Sequence, residues 1–364
     1  MIRFFSKLRR GGAATALVAD ARPRGGVRLA AAGAVSLALV LGIAACGGSS
    51  SGSSGGDGSG GTVSVVGYST PQELYEDDAE PAFTQTPDGE GVSFKNSFGA
   101  SGDQSRAVEA GLPADIMHFA LAPDMDRVVE AGVVGDDWDS GQYKGIVQDS
   151  VVVFAVRSGN PDNITSWDQV VSGDYDVITP NPFTSGGARW NIMAAYGALI
   201  NEGKSEQEAL DGIQSMLAAT VVQDSSARDA LGTFTSGQGD VLLTYENEAI
   251  QAQDAGEDLD YVVPDSTILI ETPFAQASDP ESPEATQAFY DYMFSAEGQK
   301  LFAERGFRPV DQSVLAQYKD KFPEPKDLFT IDDLGGWDKV TDEFFDTENG
   351  SIAEIEANLG VATE

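Results

Sequence analysis

Residues 179–191 read Thr-Pro-Asn-Pro-Phe-Thr-Ser-Gly-Gly-Ala-Arg-Trp-Asn, and their chemistry is that of the backbone. Ser185, Gly186 and Gly187 stand between a short apolar run ending at Ile178 and a helical pattern of Trp190, Ile192, Met193, Ala194, Ala195, Ala198 and Leu199. A helix start leaves its first N–H groups unpaired and carries roughly half a positive charge, which suits an anion. Glycines let a ligand approach those groups closely. The same residues also fit an ordinary capped helix after a turn.

Three other segments share this form: Ser69-Thr70, Ala100-Ser101-Gly102 and Ser226-Ala227. Each follows a strand pattern and opens a helix. The strand patterns are Thr62–Tyr68, 91–97, 115–121, 149–158, 176–178, 219–222, 240–244 and 268–272. Helical patterns alternate with them, and one runs unbroken from Pro283 to Arg305. This order predicts an α/β fold with mostly parallel pairing. In open α/β sheets, ligands sit at the carboxyl ends of strands. Capping alone accounts for each start taken singly. Thr70-Pro71-Gln72-Glu73 and Ser101-x-x-Gln104 both read as capping boxes. Four donor-rich starts on one sheet edge favour a small-ligand receptor.

Most catalytic chemistry is excluded by composition. His118 is the only histidine and Cys46 the only cysteine, so no metal site built on those residues is expected, and no cofactor. His118, between Met117 and Phe119 in a strand pattern, reads as structural. No paired-acid motif stands out, so an exported hydrolase is disfavoured. Glu246 and Glu248 read as caps or braces, and Phe289, Tyr290, Tyr292 and Phe294 as helix packing.

The N-terminus reads as a targeting segment. Residues 1–28 carry Arg3, Lys7, Arg9, Arg10, Arg22, Arg24 and Arg28, and an apolar run from Leu29 ends in Ile-Ala-Ala-Cys46. This is the pattern of a signal peptide over 1–45 that ends at a lipobox, with Cys46 as the lipidated residue. An uncleaved anchor is the alternative, but 17 apolar residues sit at the bottom of the spanning range. Residues 47–61 are a Gly/Ser linker, with a typical reach of about 20–23 Å. Without residues 1–45 the chain has 15 Lys/Arg against 57 Asp/Glu, a formal charge of −42. Nucleic-acid binding needs the opposite sign.

The chain as a whole resembles the sulfate-binding proteins that feed ABC-type importers. The resemblance lies in VVGYSTPQELYED, NSFGASGDQSRAVEAGLPADIMHFALAPDMD, VVVFAVRSGNP, ITPNPFTSGGARWNIMAAYGAL, DSSARDALGTFTSGQGDVLLTYENEA, FRPVDQ and FTIDDLGGW, in that order across residues 62–340. It implies a two-lobed periplasmic-binding-protein type II fold, each lobe a mixed, mostly parallel sheet flanked by helices, with the ligand between lobes. The implied division is 62–152 for the first part of lobe I, 153–250 for lobe II, and 251–364 for the rest of lobe I with C-terminal helices.

The resemblance further implies a non-enzymatic, monomeric receptor on the outer face of the cytoplasmic membrane, delivering sulfate to an ABC permease. Thiosulfate, molybdate and tungstate are the alternative ligands. Family sites hold sulfate with neutral donors only. By position, a serine hydroxyl falls on Ser101, and backbone donors on Ser101, Gly186, Gly187 and Ala227. An indole position falls on Tyr245, a departure, since a phenol donates from a different reach. Arg189 matches an arginine that supports the loop. Ser69 stands where the family has aspartate. Asp103 stands where it has lysine, and is expected to face solvent.

Overall fold

The computed structural model describes residues 60–363. The expected signal peptide, Cys46 and nearly all of the expected linker lie outside those residues.

Strands β1 (Gly61–Tyr68), β2 (Val92–Gly99) and β3 (Ile116–His118) open the fold. β1 pairs in parallel with both neighbours. Its residues 63–68 are buried throughout, as expected of a central parallel strand covered on both faces. Then follow β4 (Ile146–Arg157), β5 (Val177–Ile178), β6 (Thr220–Val222), β7 (Val241–Tyr245), β8 (Leu259–Val262), β9 (Ser266–Gln276), β10 (Arg308–Pro309) and β11 (Asp327–Phe329). The main order is β2-β1-β3-β9-β4-β7-β5-β6.

β4 and β9 join the two halves. The end of β9 pairs with β3, and its middle pairs with the first half of β4. The second half of β4 pairs with β7 and β8. Every antiparallel pair among the described residues involves β4 or β9. The outer strands pair in parallel. Their carboxyl ends therefore feed the helix starts.

Each half has its own core. One gathers Val63, Leu74, Phe83, Phe289 and Phe302. Phe289 sits 4.8 Å from Phe94 and 5.2 Å from Phe83, ring to ring, in edge-on contacts. The other gathers Trp167, Trp190, Ile213, Leu243 and Trp337. The C-terminal segment packs on this second core: Trp337 meets Trp190 at 4.7 Å, and Phe344 meets Tyr196 at 4.8 Å.

Two local expectations are corrected. The pattern over 283–305 forms two helices, Pro283–Phe294 and Ala296–Glu304, because Ser295 adopts an extended conformation and caps the second. Its hydroxyl accepts from the Gly298 N–H at 3.1 Å. A Cβ on Gly298 would lie 2.2 Å from the Tyr292 carbonyl oxygen, so only glycine fits. The capping box expected at Thr70 does not form: helical structure starts at residue 72 and passes through a π-type turn at Leu74–Ala79 into Glu80–Phe83, but the Thr70 hydroxyl accepts no bond from it. Thr70 therefore caps nothing.

Candidate functional site

Five strand ends converge on one small cavity. β1 supplies Ser69, β2 leads to the helix Ser101–Glu109, and β5 leads to the helix Gly186–Asn201. β6 leads to the helix Ala227–Thr235, and β7 ends at Tyr245. Ser69, Ser101, Gly186, Gly187, Ala227 and Tyr245 all line this cavity. Tyr68, Thr70, Ala100, Ala120 and Ser185 complete its wall. No charged side chain does. Its volume, about 10 Å³, is that of one water-sized sphere, so it is closed tightly and suits a compact ligand. A far larger groove, about 800 Å³, lies between Phe83, Pro87, Pro283 and Tyr292 and shares no residue with it.

The donors are mostly backbone. Ser101, Gly186 and Ala227 are each the first residue of their helix, and Gly187 the second. Their N–H groups precede the first intrahelical partners. Ser185 precedes the glycines in extended conformation and makes no side-chain cap bond. Its hydroxyl has no protein partner among the described residues, and it lies 3.3 Å from where a Cβ on Gly187 would sit.

Ser101 departs from expectation. It is the first helical residue, after Ala100 at the cap, so the Ser101/Gln104 capping box does not form. Its hydroxyl, expected to face an anion, donates to Asp124 Oδ2 at 2.6 Å and accepts from the Ala120 N–H at 2.9 Å. Asp124 is also held by Arg127 Nη1 at 3.1 Å and Ser105 Oγ at 3.3 Å. The hydroxyl left free beside the glycines belongs to Ser185. Its place next to the pair was the available signal, but it read as a cap.

Two hydroxyls on the cavity wall, those of Tyr245 and Thr70, are buried without partners. Burial, with the neighbouring Tyr68 and Glu248, pushes the Tyr245 phenol well above its ordinary pKa, so it remains a neutral donor.

The remaining residues support from outside. Arg189 does not line the cavity; its Nε donates to the Pro182 carbonyl at 2.8 Å, and its guanidinium lies 4.8 Å from the Phe345 ring centre. Asp103 faces solvent and pairs with Arg106. Arg228 Nη1 pairs with Glu73 at 2.5 Å, and its Nη2 reaches the Thr70 carbonyl at 3.0 Å and the fully buried Glu248 at 3.1 Å. Glu246 pairs with Arg308 at 2.7 Å. His118 lies between Tyr75 OH at 2.9 Å and Thr272 Oγ1 at 3.0 Å, and burial lowers its pKa to about 3. It is a neutral structural histidine. Among the described residues no group of His, Cys, Asp and Glu is arranged to hold a metal.

Known proteins share both sequence and fold. Residues 63–308 match the family of bacterial extracellular solute-binding proteins. A sulfate-binding protein of Synechococcus elongatus is 38% identical over 320 residues, covering 86% of this chain and 91% of that protein. A thiosulfate-binding protein of Pseudomonas aeruginosa is 31% identical, covering 77% and 88%. The solved structure of the sulfate-binding protein SubI from Mycobacterium tuberculosis superposes with a TM-score of 0.75 at 42% identity, covering 78% of this chain and 99% of that one.

Proposed function

The chain belongs to the bacterial extracellular solute-binding proteins, within their sulfate-binding family, and from that membership we propose that it captures sulfate and delivers it to an ABC-type permease. The observation that supports this most is the convergence of uncharged donors on a single small cavity. The N–H groups of Ser101, Gly186, Gly187 and Ala227, the Ser185 hydroxyl and the Tyr245 phenol form the proposed donor set. Ser69 shapes the wall, and Arg189 braces the loop from behind.

Sulfate carries no proton at neutral pH, so a set of donors satisfies it. Hydrogen phosphate brings an O–H that needs an acceptor, and a buried unmet donor costs about 1–3 kcal/mol. Micromolar binding corresponds to about 8 kcal/mol. Six hydrogen bonds to a charged ligand, at roughly 1.5–3 kcal/mol each, exceed that before ordering costs.

Thiosulfate is the second reading, favoured by the Pseudomonas aeruginosa relative. The unfolding midpoint measured against sulfate, thiosulfate and molybdate separates them, since a ligand that binds only the folded state raises it. Stabilisation by thiosulfate or molybdate but not by sulfate overturns the primary reading.

The proposed setting is the outer face of the cytoplasmic membrane, with a lipid on Cys46 and the Gly/Ser linker as tether. Replacement of Cys46 by serine then releases the protein from the membrane fraction. Unchanged membrane association refutes the lipid anchor.

A further inference from the structure

Two hydrogen bonds join the halves of the molecule beside the cavity, through protein groups alone. Trp190 Nε1 donates to the Ala120 carbonyl at 2.8 Å. The Gly102 N–H donates to the Thr184 carbonyl at 3.2 Å. Ala120 follows β3 and lines the cavity, and Gly102 lies in the helix that begins after β2. Trp190 and Thr184 belong to the other half, in the helix Gly186–Asn201 and the loop before it. Both bonds end close to the proposed donors. Gly102 adjoins Ser101, Thr184 adjoins Ser185, and Trp190 lies one helical turn beyond Gly186.

The surroundings leave these groups little freedom. Trp190 is fully buried, and the Trp337 ring packs edge-on against it at 4.7 Å. A Cβ on Gly186 would meet that of Ala120 at 2.9 Å, so Ala120 packs directly on the start of the Trp190 helix. A Cβ on Gly102 would lie 3.1 Å from the Thr184 oxygen, so the two backbones are in close contact there. A buried indole N–H and a buried carbonyl are both costly to leave unpaired. The Trp190 bond therefore fixes a distance between the halves.

We propose that Trp190 and Gly102 are positioning residues that set the width of the anion cradle, and thereby select among tetrahedral dianions by size. This inference rests on the reading of the cavity as an anion site and deepens it. The Ser101 donor belongs to one half, and the Gly186, Gly187 and Ala227 donors to the other. The two bonds hold the first against the others. Sulfate fits a cradle of that width. Selenate and molybdate have longer bonds to oxygen, and holding them stretches both ties. Neutral donors alone make no such distinction, because all three ions are unprotonated at neutral pH.

The test is calorimetric titration of sulfate, selenate and molybdate into the wild-type protein and Trp190→Phe. Phenylalanine keeps an aromatic ring and removes the N–H. Loss of one tie predicts that sulfate binding weakens about threefold to tenfold. Selenate and molybdate change by no more than about twofold, so the ratio of sulfate to selenate affinity falls. Loss of folded protein alone would leave that ratio as it is in the wild type, and the ligand-free unfolding midpoint checks the fold. If Trp190→Phe does not fold, Gly102→Ala reads the other bond. Alanine is favoured in a helix, and its Cβ presses on the Thr184 carbonyl, so the ratio falls in the same direction. A wild-type ratio in Trp190→Phe, or in Gly102→Ala where that variant stands in, overturns the positioning role alone. A wild-type protein that binds none of the three ions overturns the anion reading itself.

Discussion

Ser101 donates its hydroxyl proton to Asp124 at 2.6 Å while accepting from the Ala120 N–H at 2.9 Å. Both hydrogen-bonding roles of this hydroxyl are thus taken by the protein. Asp124 is nearly buried, so the bond satisfies a carboxylate that water does not reach freely. In the proposed site, Ser101 then serves an anion only through its N–H.

A contrast between two serines follows. Ser101→Ala strips a donor from Asp124 and is expected to cost about 1–3 kcal/mol of stability, read by denaturant unfolding. Its sulfate affinity changes little. Ser185→Ala is expected to do the reverse: stability holds, and sulfate binding weakens by about 1.5–3 kcal/mol. Equal affinity losses in both variants would refute this division.

The two glycines also separate. A Cβ on Gly186 would overlap Leu121 Cγ at 2.7 Å and Ala120 Cβ at 2.9 Å, so alanine there displaces the helix from its neighbours. Overpacking of this kind typically costs about 1–3 kcal/mol. A Cβ on Gly187 would stand 3.3–3.6 Å from Ser185, Ala227 and Tyr245, within the cavity. Gly187→Ala is expected to keep its unfolding midpoint and lose sulfate binding. Gly186→Ala lowers the midpoint.

Arg228 links residues that follow β1 to those that follow β6, through Glu73, the Thr70 carbonyl and Glu248. Removing it leaves the fully buried Glu248 without its cation. A buried pair broken on one side typically costs about 3–5 kcal/mol. Arg228 is 31% exposed, so Arg228→Ala is expected to cost less, about 2–3 kcal/mol. Stopped-flow dissociation of sulfate is expected to speed up as well. An unchanged off-rate would mean that the clamp does not act on the bound state.

Stability should also depend on Asp149, in the strand that joins the lobes. It lies opposite Glu271 in β9. Burial, then the Glu271 charge, raise its pKa to about 8, against the opposing pull of Arg308. A carboxyl raised on folding contributes stability fully below its unfolded pKa, which is about 3.9, and loses it as pH rises through the folded value. Asp149→Asn is therefore expected to stabilise the protein at pH 9 relative to wild type, with little gain at pH 5. Equal effects at both pH values would contradict this.

Much of the site was legible before the fold was. Ser-Gly-Gly after an apolar run, repeated in looser form at Ser69, Ser101 and Ser226, follows from local rules for helix starts. The geometry brings Ser69, Ser101 and Ala227, the residue after Ser226, to one cavity with Ser185, Gly186 and Gly187. What local rules did not give is the side-chain bonding at those starts. The fate of the Ser101 hydroxyl depends on Asp124, 23 residues away. The Thr70 hydroxyl stays free although helical structure begins two residues on, at residue 72. Residue 189 was expected to support the loop, and its partner Phe345 is a long-range contact that no window contains. The single helix expected over 283–305 failed at Ser295, where capping of a second helix outweighed the continuous apolar pattern.

The central claim is that a cradle of neutral donors around Gly187 binds sulfate. Calorimetric titration of sulfate into the purified protein, beside Gly187→Asp, tests it most directly. The account predicts one site of micromolar or tighter affinity in the wild type, and no binding in a Gly187→Asp variant that unfolds at the same ligand-free midpoint. A silent wild type, or a variant that binds sulfate as the wild type does, would contradict it.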